Sequence, residues 1–222
     1  MHKMLRLTAG VLALGLAAGG LPGWPGTASA APERQPVVQL AQATVPPELQ
    51  VMAGDHTMGK ADAPVTLVEY ASMTCGHCAQ FHNAILPELK KKHVDTGKVR
   101  FVYRDFPLDS LALQAAQIAE CAGNERYFGV VDLIFQTQAQ WLAAKEPIAE
   151  LGKSLRIAGM GEADIKACLA NEKVATDIVA ERKIAEDKLK VSSTPTLFIN
   201  GQRWTGARTL EALDEALTKA MQ

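Results

Sequence analysis

The sequence predicts an α/β sandwich whose sheet is interrupted by a block of helices. Three observations predict it. Two apolar, β-branched runs, "VTLVEY" over 65–70 and "VRFVYRDFP" over 99–107, flank a helical pattern. Strand signals then vanish over roughly 108–190, a stretch rich in Ala and Leu at helical spacing. Strands return as "TPTLFI", Asn200-Gly201 and "QRWTGA", followed by a closing helical segment. Two half-sheets joined by a crossover and split by helices satisfy the layer and connection rules for such a domain.

Each element has its own signature. "VTLVEY" is apolar on both faces and reads as a buried central strand. The helix after the first two cysteines carries Phe81, Ile85, Leu86 and Leu89 on one side, and Pro87 is expected to kink it because proline lacks the N–H a helix needs. In the helical block, Leu111, Ala115, Ile118 and Ala119 mark one helix, and Phe128, Val131, Leu133, Ile134 and Phe135 a second. Ile148, Leu151 and Leu155 mark a third, Ile165, Cys168 and Leu169 a fourth, and 178–189 a fifth. Asn-Gly between two apolar runs is a hairpin signal, since both turn positions need positive φ. "TLEALDEALTKAM" is a helix with Thr209 as N-cap.

The first thirty residues have the anatomy of a secretory signal peptide. A basic start with Lys3 and Arg6 precedes an apolar run over 7–21, then prolines and glycines, then Ala28-Ser29-Ala30, a small-x-small cleavage pattern. The alternative is an uncleaved anchor, for which the run is short. Export to a bacterial periplasm is the expectation. Loss of residues 1–30 leaves 21 basic against 24 acidic side chains, a formal charge of −3. That mild acidity argues against a nucleic-acid partner. Residues 31–50, rich in Pro, Gln and Ala, read as a flexible leader, with a short oligomerising helix as the sharper alternative. The expected layout is signal 1–30, leader 31–50, first part of the α/β domain 51–107, inserted helical domain 108–190, and second part 191–222.

Two of the four cysteines, Cys75 and Cys78, are separated by Gly76-His77. Such a pair can be half of a zinc site, a structural bridge or a redox couple. "GKADAPVTLVEYASMTCGHCAQFH", "STPTLFINGQRWTGA" and the helical block between them resemble the DsbA family of thioredoxin-like disulfide oxidoreductases, over about 55–220. The likeness is closest to the bacterial branch with a second cysteine pair. The resemblance implies a thioredoxin-like fold with an inserted helical domain and no cofactor beyond the cysteines; residues 31–50 show no convincing dimerisation domain, so a monomer is expected.

The residues can carry that chemistry. Cys75 lies where a strand ends and a helix starts, with Thr74 as the expected N-cap. Helix N–H groups facing its sulfur would favour thiolate, making it the nucleophile and the better leaving group. Cys78, one turn further in, would be shielded and act as the resolving thiol. His77 can donate a hydrogen bond to that thiolate or set a positive charge beside it. A stabilised reduced form makes the disulfide oxidising, and DsbA and protein disulfide isomerase lie at roughly −120 and −180 mV. Zinc is the rival for Cys75, Cys78 and His82, but export favours disulfides and no second ligand pair is evident. The remaining pair, Cys121 and Cys168, is expected to form a structural bridge, the alternative being two buried thiols.

Glu69 breaks an apolar strand six residues before Cys75. A buried carboxylate there would need a partner, and Arg104 is the expected counter-charge. The resemblance makes Glu69 the proton acceptor for Cys78. It also implies that Thr194-Pro195 is a cis peptide packed on Cys75, where the Thr194 backbone pairs with an extended substrate. Many oxidases of the family carry an aliphatic residue before this proline, and threonine occurs in isomerase and reductase relatives too. The expected activity is donation of the Cys75–Cys78 disulfide to exported proteins with free thiols, with reoxidation by a DsbB- or VKOR-like quinone-linked membrane partner. The alternatives are an isomerase or reductase kept reduced by another membrane partner and, outside catalysis, a metal-binding or holdase module.

Overall fold

The structure, a computed structural model, describes residues 45–222. The signal-peptide reading of 1–30 and most of the leader reading lie outside the described residues. Strands β1 (His56–Met58), β2 (Val65–Ala71), β3 (Val99–Asp105), β4 (Thr196–Ile199) and β5 (Gln202–Arg203) form one sheet in the order β1-β3-β2-β4-β5. β2 and β3 run parallel, and the other neighbours are antiparallel. β2 is central, as its two apolar faces predict. Leu67 and Ala71 join the larger core, while Val68 and Tyr70 join a second core on the opposite face.

Between β2 and β3 the chain forms α1 (Gly76–Gln80), a π-turn (Phe81–Ile85), α2 (Leu86–Leu89) and a second π-turn (Lys90–Val94). Pro87 stands in the first turn of α2, and ahead of it the Leu86 N–H reaches back five residues to the Phe81 carbonyl. The missing proline N–H is thus absorbed by a widened turn.

After β3 come α3 (Ser110–Cys121), α4 (Tyr127–Gln136), α5 (Gln138–Ala143), α6 (Pro147–Leu155), α7 (Glu162–Leu169) and α8 (Glu172–Leu189). Five of these match the helical spacings. α5 does not follow from any spacing; it is held by buried Trp141, whose indole N–H donates to the Ile134 carbonyl at 3.0 Å. Cys121 at the end of α3 and Cys168 in α7 are bonded, with Cα atoms 5.7 Å apart, inside the ordinary range for a disulfide. α9 (Leu210–Ala220) closes the fold, with the Thr209 hydroxyl accepting from the Ala212 N–H.

Three details differ from the sequence reading. β1 is too short to show a pattern and exists as the outer partner of β3. The run "QRWTGA" pairs only at Gln202 and Arg203. Asn200 and Gly201 do take positive φ, 48° and 79°. A Cβ on Gly201 would lie 2.9 Å from Val45 Cγ1, so the incoming chain packs on this turn. The flexible-leader reading also fails at its C-terminal end. Pro47–Leu49 form a 3₁₀ turn whose Leu49 is 2 % exposed, because this short apolar anchor completes the core on the Val68–Tyr70 face. Among the described residues no helix is long and apolar enough to cross a membrane.

Candidate active site

β2 ends at Ala71, and a turn closed by the Cys75 N–H on the Ser72 carbonyl (3.0 Å) delivers Cys75 to the start of α1. Cys75 is still extended (φ −79°, ψ 117°) and is itself the N-cap: its Sγ accepts from the Cys78 N–H at 3.4 Å. The expectation that Thr74 caps this helix is therefore corrected. The helix begins one residue later than expected, and Thr74 Oγ1 instead donates to Asp109 Oδ2 at 2.7 Å. Asp109 caps α3 with its other oxygen, accepting from the Ala112 N–H. One carboxylate thus ties the cysteine loop to the first helix of the insertion.

Cys75 and Cys78 are both free thiols here, the first partly exposed and the second buried. The Cys75 thiol is pushed down to about 5. The largest cause is the hydrogen bond from the Cys78 thiol, which favours the anion; burial opposes it. The Thr194 side chain and the backbone N–H groups of Cys78 and His77 add to the lowering. The Thr194 hydroxyl is buried and has no hydrogen-bond partner among the described residues. In the thiol form, Cys75 Sγ donates to the Thr194 carbonyl at 3.4 Å. Thr194-Pro195 is cis, and both residues are buried. Cys78 moves the opposite way. Burial raises it most, followed by its hydrogen bond to Cys75 and the charge of Glu69. Two thiols one helical turn apart are driven in opposite directions.

The expected role of His77 as an imidazole tuner takes another form. The side chain is exposed, on the outer side of the first turn, and what His77 supplies to Cys75 is its backbone N–H.

Glu69 is fully buried, as expected, but Arg104 is not its partner. Across the β2–β3 ladder Glu69 lies opposite Tyr103, and Arg104 lies opposite Tyr70. Side chains alternate between faces along a strand, so Glu69 and Arg104 project to opposite sides of the sheet. Arg104 instead makes a two-pronged pair with Asp55, at 2.8 Å to each oxygen, and also bonds the Tyr70 hydroxyl and the carbonyls of Glu48 and Gln50. The partner of Glu69 is His82, whose Nε2 lies 2.9 Å from Oε2 with both side chains wholly buried. This engagement also takes His82 out of the zinc reading. Among the described residues no group of three or more His, Cys, Asp or Glu side chains is placed to hold a metal ion.

Gln138 at the start of α5 is a site residue that sequence reasoning missed. Its buried amide donates to the Met73 carbonyl at 2.9 Å and the Cys75 carbonyl at 3.1 Å. Nothing local distinguishes Gln138 from Gln136 or Gln140; only the docking of α5 on the cysteine loop does. Gln138→Ala is expected to lower stability by about 1–3 kcal/mol, since it orphans the buried Met73 carbonyl, while the Cys75 carbonyl keeps the Ala79 N–H as a donor. Gln136→Ala, at an exposed position, is expected to stay within about 0.5 kcal/mol. Urea unfolding of the two variants checks the contrast.

Comparison with known proteins agrees with this geometry. Residues 52–219 match a protein-family model described as thioredoxin. A Rickettsia conorii protein described as a protein-disulfide oxidoreductase is 30% identical over 86% of this chain and 67% of its own length. Among solved structures, Wolbachia pipientis alpha-DsbA1 is 28% identical with a TM-score of 0.73, covering 78% of this chain and 94% of that one. A protein-disulfide isomerase from Novosphingobium aromaticivorans is 26% identical with a TM-score of 0.66, covering 76% and 98%. A thiol pair split between a half-exposed anion and a buried acid, on a fold shared with these proteins, places the chain in the DsbA family of thioredoxin-like protein-disulfide oxidoreductases.

Proposed function

We propose that this oxidoreductase works as an oxidant in the periplasm, passing the Cys75–Cys78 disulfide to exported proteins that carry free thiols. The single observation behind the direction is the stabilised Cys75 thiolate. A protein that holds one sulfur as an anion favours its own dithiol form, so its disulfide is readily given away. A substrate thiolate attacks Cys75 Sγ, the Cys75–Cys78 bond breaks, and Cys78 leaves with the electron pair and takes up a proton. A second substrate thiolate then attacks the substrate sulfur of the mixed disulfide, and Cys75 leaves as a thiolate. The substrate has lost two electrons and the protein holds two thiols. A quinone-linked membrane partner of the DsbB or VKOR type removes those electrons.

In this reading Cys75 and Cys78 are the catalytic pair, and Glu69 takes the Cys78 proton when Cys78 attacks. The backbone at Thr194, with its carbonyl beside Cys75, pairs with an extended substrate segment. Cys121–Cys168 is structural. The chain acts as a monomer of two parts, with 108–190 inserted between 51–107 and 191–222, after removal of a signal over 1–30. A second reading, an isomerase kept reduced in the cell, has support from Thr194 and from the Novosphingobium relative's description. Trapping thiols in living cells with an alkylating reagent separates the two. Cys75–Cys78 found mostly as disulfide is the expected result; mostly dithiol overturns the oxidant reading in favour of the isomerase.

A further inference from the structure

His82 lies four residues after Cys78, on the same side of the helix, and reaches Glu69 on the strand beneath. Cys78, His82 and Glu69 thus form one buried group in which both the imidazole and the carboxylate are withdrawn from solvent. Each partner has one atom engaged and one free. Glu69 Oε1 and His82 Nδ1 have no hydrogen-bond partner among the described residues.

The free nitrogen decides the tautomer. Phe135 stacks on the imidazole with ring centres 4.3 Å apart, and Phe81, Phe101 and Tyr103 stand edge-on around it. A proton on Nδ1 would put an N–H donor into this aromatic cage without an acceptor, a costly arrangement, whereas a bare lone pair there costs less. The ring proton therefore sits on Nε2 and is donated to Glu69 Oε2. The other ionisable groups around His82 do not compete for it. Tyr103 on β3 directs its hydroxyl to Met73 Sδ and Asp105 Oδ1. Asp132 on α4 is solvent-facing and has Lys90 nearby.

We infer that His82 is a positioning residue for proton transfer at Cys78: by occupying Glu69 Oε2, it leaves Oε1 as the one basic oxygen for the thiol proton. The inference rests on the proposal that Glu69 accepts that proton. When Cys78 attacks a mixed disulfide on Cys75, its S–H bond breaks and an O–H bond forms on Oε1. The electron pair stays on sulfur and makes the new S–S bond to Cys75 Sγ, while the bond between Cys75 and the substrate sulfur breaks and that sulfur leaves as a thiolate. The reverse transfer protonates Cys78 when it leaves. His82 donates its hydrogen bond to Oε2 throughout.

Stopped-flow reaction of the reduced full chain with oxidised glutathione tests this. It resolves attack by Cys75 from the later attack by Cys78, and each phase is followed from pH 5 to 9. His82→Phe is expected to slow the Cys78 phase about tenfold or more at pH 7 and to move its pH midpoint upward. The Cys75 phase stays unchanged. His82→Gln, which keeps an N–H donor at the same depth, is expected to recover most of the rate. The double variant with Glu69→Gln is expected to be no slower than Glu69→Gln alone. If Glu69→Gln leaves the Cys78 phase untouched, the Glu69 reading falls and this inference falls with it. If Glu69→Gln slows that phase while His82→Phe keeps the wild-type rate and pH profile, only the role of His82 is overturned. Should His82→Phe not fold, His82→Met is read in its place by the same criteria.

Discussion

Cys75→Ser is expected to reduce disulfide transfer to a reduced peptide by at least about a thousandfold, because a hydroxyl cannot form the mixed disulfide on which exchange depends. The same sulfur sets the pH behaviour. Alkylation of Cys75 in the reduced protein should show a midpoint near 5, well below the ordinary thiol value of 9.0. A folded value below the unfolded one stabilises the dithiol protein in full above pH 9, and that contribution is lost as pH falls through about 5. The disulfide form has no such group. The thermal midpoint of the dithiol form should therefore exceed that of the disulfide form at neutral pH, and the gap should shrink toward pH 5. A Cys75 midpoint near 9, or a gap that widens on acidification, would falsify the stabilised-thiolate account.

The second large effect is structural. Arg104→Leu is expected to destabilise the protein by about 3–5 kcal/mol, the cost of breaking a buried ion pair from one side. Asp55 would keep its carboxylate at a position 4 % exposed, and the carbonyls of Glu48 and Gln50 would lose their donor. Asp55→Asn should cost less, since an amide is cheaper to bury than an unpaired charge. Replacing both residues by leucine should recover much of the loss. Urea midpoints of the three variants measure this. Because Arg104 and Glu69 occupy opposite faces of the sheet, the folded fraction of Arg104→Leu should retain wild-type pH dependence at Cys78. A shift in that profile would mean that the two faces communicate.

The contrast between Glu69 and Arg104 shows where sequence reading runs out. An acidic residue in an apolar strand was legible as buried and in need of a partner, and Arg104 on the neighbouring strand was the nearest cation in pattern. Pairing parity decides such a question, and a one-residue change of register would have put Arg104 on the Glu69 face. Register depends on the whole ladder, from Val65 opposite Val99 to Ala71 opposite Asp105. His82 stands in the same motif, where its spacing from Cys78 points equally to a zinc ligand. Its place against Glu69 follows from how the π-turn after α1 docks on β2, a contact between residues 13 apart. Gln138 and Asp109 reach the cysteine loop from 63 and 35 residues away, beyond any local pattern.

Local spacing alone determined the central strand, the Asn200-Gly201 turn, five of the six inserted helices and the place of the Cys75 and Cys78 pair at a strand–helix junction, because periodicity and turn chemistry act over a few residues. Tertiary structure alone decided that Cys75 caps its own helix, that Glu69 meets His82, and that Gln138 fixes the cysteine loop. Those outcomes depend on which faces and ends of distant segments meet, and that is settled only when the two cores pack on either side of the sheet.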